Sequence, residues 1–76
     1  MANPYDDLNK AAILRYQAAS LEAGANQQMT IALNELLVYI YQYEQGLQVC
    51  PQIIQCMNQN PWLKNHYNDY WENCAG

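Results

Sequence analysis

The chain has 76 residues and a mass of 8.8 kDa, which is one domain over residues 1–76 at the edge of what a single core can hold. Lys10, Arg15 and Lys64 are the only basic residues against seven acids, a net charge of −4, so the cation footprint that phosphate recognition requires is missing and direct nucleic-acid binding is not expected. No stretch approaches the roughly 20 apolar residues of a membrane span, while a hydrophobic share of 51% argues for folding rather than disorder.

In chain order, Asn3-Pro4 predicts the start of a first helix, with Asn as cap, Pro at the first helical position, and Asp6 and Asp7 on the positive end of the dipole. The helix runs to about Glu22 or Ala23, and Gly24 follows as a natural terminator. Two stripes compete for its buried face. Ala11, Leu14, Ala18, Leu21 and Ala25 alternate small and large residues, which would let a neighbour approach closely; Tyr5, Leu8, Ala12, Tyr16 and Ala19 form the second. The first is taken as the core face, packed on the next helix.

Asn26 predicts the cap of a second helix, whose Met29, Leu33, Leu36, Ile40, Tyr43 and Leu47 recur at alternating spacings of 4 and 3. Leu37–Tyr41 has strand propensity, but the helical period continues through it on both sides. Gly46 ends the helix near Leu47. Pro51 opens a short third helix over about 51–59, burying Ile53, Ile54 and Met57. Pro61 forbids continuation and starts a fourth, capped by Asn60, with Leu63, Tyr67, Tyr70 and Cys74 on one stripe and Trp71 beside it. Ala75-Gly76 should fray. The expected fold class is all-α, a small bundle of about four helices with the two longer ones as a hairpin and two short ones closing it.

The ligand set worth weighing is Cys50, Cys56, His66 and Cys74. Three Cys and one His is a legitimate zinc set. The intervening gaps of five, nine and seven residues are too wide for a knuckle, however, so no metal or other cofactor is expected. Cys50 and Cys56 on one helix would lie about 9 Å apart along its axis and point away from each other, which also argues against a disulfide between them. The opening residues show no basic and apolar leader pattern, and the cysteine count is odd. A reducing cytoplasm is therefore the expected compartment, with Cys56 and Cys74 as small core residues. His66 has Asp69 one turn on as a possible partner. No converging carboxylates, phosphate loop or nucleophile–base pair is present, so an enzyme is not expected.

The aromatics carry more. Seven Tyr and two Trp occur without a single Phe, and Tyr, Trp and Met are the residue types enriched in interface cores. On the second helix Ile31 and Val38 lie opposite the seam with Tyr41 beside them. Either the fourth helix covers this face or a partner does. Trp62 and His66 edge the fourth helix. The expected function is a small non-enzymatic interaction protein: an adaptor, inhibitor or accessory subunit, of a kind that phages and mobile elements make. It would bind a larger protein, or a second copy of itself as a homodimer, through Ile31, Val38, Tyr41, Trp62 and His66. The alternatives are a Cys/His metal-binding or redox-sensing module and a small regulatory subunit of an enzyme complex.

Overall fold

In the computed structural model the backbone is described from Pro4 to Gly76 and the side chains from Ala11 onward. Four helices and no strand occur among the described residues: α1 (Pro4–Ala23), α2 (Gln27–Glu44), α3 (Cys50–Gln59) and α4 (Pro61–Ala75). The expected cap at Asn3 lies outside the described residues, as do the side chains of Asp6, Asp7, Tyr5 and Leu8.

The punctuation works through identifiable bonds. Gly24, with φ of 57°, turns the chain out of α1, and its N–H donates to the Ser20 carbonyl at 3.0 Å. The Asn26 side chain accepts from the Met29 N–H at 3.1 Å and caps α2. α2 ends at Glu44 rather than at Leu47. There Gly46, with φ of 87°, allows the paired bonds from Gly46 N to Tyr43 O and from Leu47 N to Gln42 O that close a helix C-terminus. Leu47 therefore falls outside the helix and is exposed. Asn60 does not cap α4 with its side chain; its amide instead donates to the Cys56 carbonyl at 3.0 Å and finishes α3. α4 persists to Ala75 but bends at Tyr67, whose φ and ψ of −129° and 32° are not helical.

The core is built chiefly by the last three helices. Leu33, Leu36, Ile53, Met57 and Leu63 are fully buried, with Ala32, Ile40, Val49, Cys56 and Tyr67 around them. The expected seam of α2 supplies its centre, while Met29 and Tyr43 are half-buried. α1 is rotated from the expected orientation. Leu14 is 66% exposed and Leu21 83%, whereas Ala19 and Ala23 are buried and Arg15 lies half-buried on the same side. The physical reason is that a narrow row of small residues lets α1 sit against an already filled core, which has no room for leucines.

α3 and α4 meet at the single residue Asn60 and run back along each other, and a disulfide joins their far ends. Cys50, the first residue of α3, is bonded to Cys74 near the end of α4, with Cα atoms 5.1 Å apart. This corrects the expectation that Cys74 is a plain core residue. The molecule measures 40 × 30 × 17 Å.

Candidate functional site

Two regions bear on function. The first is the outer side of α2. Ile31 and Val38 are 45% and 54% exposed and Tyr41 is 67% exposed. They sit opposite Leu33, Leu36 and Ile40, as helical periodicity requires, and α4 does not cover them. The other two expected binding residues occupy a different environment. Trp62 and His66 are half-buried and in edge-to-face contact, with ring centroids 6.2 Å apart. His66 Nε2 lies 2.9 Å from Glu22 Oε1, tying α4 to α1, while the indole N–H of Trp62 is buried without a partner among the described residues. The His66–Asp69 pair does not form, because Asp69 is taken by Arg15. The five residues thus divide between an open aliphatic–aromatic face and a closed seam.

The second region was not singled out from the sequence. Arg15 reaches from α1 across α4. Its Nη1 donates to both carboxylate oxygens of Asp69, at 3.1 and 3.3 Å, and its guanidinium lies over the rings of Tyr67 and Tyr70, 5.4 and 5.7 Å from their centroids. The Tyr70 hydroxyl donates to Glu44 Oε1 at 2.9 Å. Burial and that carboxylate together push the Tyr70 phenol up to about 12. Tyr67 is also raised, first by burial, with Arg15 pulling against it and Tyr16 adding to it. Its hydroxyl is buried and has no hydrogen-bond partner among the described residues. A cavity of about 240 Å³ opens beside this cluster, between α1, α2 and α4. The available signal was Arg15 itself, a charge on the row that continues through Ala19 and Ala23.

The cysteine and histidine set does not converge. Cys50 and Cys74 are bonded to each other, and His66 faces Glu22. Cys56 is buried, its thiol donating to the Ala32 carbonyl at 3.7 Å. Burial, then the Glu35 charge, raise the Cys56 thiol above its ordinary range, which disfavours the thiolate that metal binding or nucleophilic attack requires. No group of three or more His, Cys, Asp or Glu able to hold a metal occurs among the described residues.

No protein-family model, curated protein or solved structure matches the chain. Function is therefore read from these two regions alone.

Proposed function

We propose that the chain is a small non-enzymatic interaction protein, an adaptor, inhibitor or accessory subunit, that engages a larger protein through the outer face of α2. The observation that carries this reading is surface in excess of the fold's need. The chain exposes 5403 Å². A compact monomer of this mass exposes roughly 4,800 Å² by the usual area scaling. The excess of about 600 Å² approaches the ~800 Å² that one partner contributes to an interface of standard size. Ile31, Val38 and Tyr41 are exposed on that face, with neutral Asn34, Gln42 and Gln45 among them.

No helix among the described residues is long and apolar enough to cross a membrane. The Cys50–Cys74 bond supports placing the protein in an oxidising compartment rather than in the reducing cytoplasm, because reducing compartments do not generally preserve such bonds. Cross-linking in the native source, followed by purified-component binding, tests the reading. Val38→Asp and Tyr41→Ala should each weaken the identified partner at least tenfold without changing the circular-dichroism spectrum, and the wild-type affinity should vary little with salt. If both variants bind like wild type while Glu35→Lys abolishes binding, an acidic surface is the contact and the apolar reading fails.

A further inference from the structure

We propose that the cavity between α1, α2 and α4 is a binding site for a small apolar monocarboxylate, with the acid group on Arg15 and Tyr67 and the hydrocarbon against Leu37 and Ile40. The site is separate from the outer face of α2 and does not depend on it.

Three features converge there. Arg15 engages Asp69 through Nη1 alone, so among the described residues its Nε–H and Nη2–H donors are unused. Those donors form a fork suited to a carboxylate. Tyr67, 3% exposed, carries a buried hydroxyl with no partner among the described residues and lines the same cavity. A buried polar group of this kind is ordinarily satisfied, and an acceptor oxygen on a ligand would satisfy it. Apart from Asp69 and Tyr70, the remaining lining among the described residues is hydrocarbon: Ala11, Ala12, Leu37 and Ile40. A dry pocket of about 150 Å³ takes a benzene ring, so the 240 Å³ present here accommodates a ring or short branched chain with a two- or three-carbon acid arm.

The ligand class follows from the charges. Among the described residues, Arg15 is the one cation lining the cavity and Asp69 the one anion. A dianion would meet Asp69 without a second cation to balance it, and a cation would compete with Arg15 for its place over the Tyr67 and Tyr70 rings. A single carboxylate can take the place of Asp69 on Arg15, leaving Asp69 as the one charge without a protein partner. Asp69, more than half exposed, can turn to water when the ligand arrives.

The experiment is a calorimetric and NMR titration of the oxidised full chain with 3-phenylpropionate and, separately, with its uncharged amide. Saturable binding of the acid is expected at millimolar concentration or below, with the amide at least tenfold weaker. Tyr67→Phe should weaken the acid severalfold, and Arg15→Gln should abolish its binding. Asp69→Asn is the decisive variant. Removing the competing carboxylate should tighten the acid severalfold, whereas a purely structural Arg15–Asp69 pair would give no such gain. Equal binding of acid and amide, no shifts at 10 mM acid, or an Asp69→Asn variant that retains its fold yet binds the acid no more tightly would each overturn the proposal. Should Arg15→Gln fail to fold, the acid–amide comparison and Asp69→Asn still decide it.

Discussion

Helix α1 is twice as long as α3, 20 residues against 10, yet of its described side chains it buries Ala19 and Ala23 while α3 buries Ile53, Cys56 and Met57. The two helices are held in different ways. α3 is packed by large side chains and tied covalently to α4. α1 rests on small residues, and its longer side chains reach α4 at the rim, through Arg15 on Asp69 and Glu22 on His66. Burying an alanine removes one methyl group from water, worth about 0.8 kcal/mol, against about 1.5–3 kcal/mol for a leucine or isoleucine. A half-exposed ion pair adds ~1 kcal/mol or less. Helix length is thus a poor guide to how firmly an element is held; the size of what it buries is a better one.

The contrast can be broken by mutation. The largest expected effect is Leu36→Ala at the centre of the α2 seam, which should cost about 2–5 kcal/mol in a urea titration, a large share of the stability of so small a domain. Next comes the disulfide. The two cysteines are 24 positions apart. By the loop-entropy relation, opening such a ring costs about 3.5 kcal/mol. Cys74→Ser, or reduction of the wild type, should therefore lower the midpoint strongly; an unchanged midpoint would show that α3 and α4 hold together by packing alone.

A smaller effect is expected at the junction of the two regions. Tyr70→Phe loses the hydrogen bond to Glu44 and should cost about 1 kcal/mol. The same phenol sets a pH dependence. Its folded value of about 12 lies above the unfolded value of 10.0, so folding favours the neutral form. That stability is fully present below pH 10 and is lost as pH rises from 10 through 12. The alkaline loss should be shallower in Tyr70→Phe, as read by unfolding midpoints on either side of pH 10. The smallest effect is predicted for Leu21→Ser on the outer side of α1, where 83% exposure leaves little to lose. A change above about 0.5 kcal/mol there would mean that α1 packs through its leucines after all.

Residues whose effect is local were readable directly. Asn26, Gly24, Gly46, Pro51 and Pro61 act within a turn of their own position, and the helix boundaries follow from them. The α2 seam was readable because its large apolar residues share one face. The buried face of α1 was not, since Ala23 lies on neither stripe and Ala19 only at the end of the second, and the choice depended on space left by other helices. The Cys50–Cys74 bond was out of reach for a similar reason. Local helix geometry can exclude Cys50–Cys56, but only the folding back of α4 on α3 brings position 74 to position 50. Ile31, Val38 and Tyr41 could be placed opposite the seam from periodicity. Arg15 and Tyr67 could not be paired, because they meet across two helices distant in sequence.

The single-residue joint between α3 and α4 gains a meaning from the bond at their other ends. Residues 50 to 74 form a closed covalent ring. A protease that cuts the chain at Asn60 or Pro61 adds one water to the mass and releases no fragment. The nicked protein should run as one band on a non-reducing gel and as two after reduction, so a molecule cleaved at this corner keeps both halves together for as long as its surroundings remain oxidising.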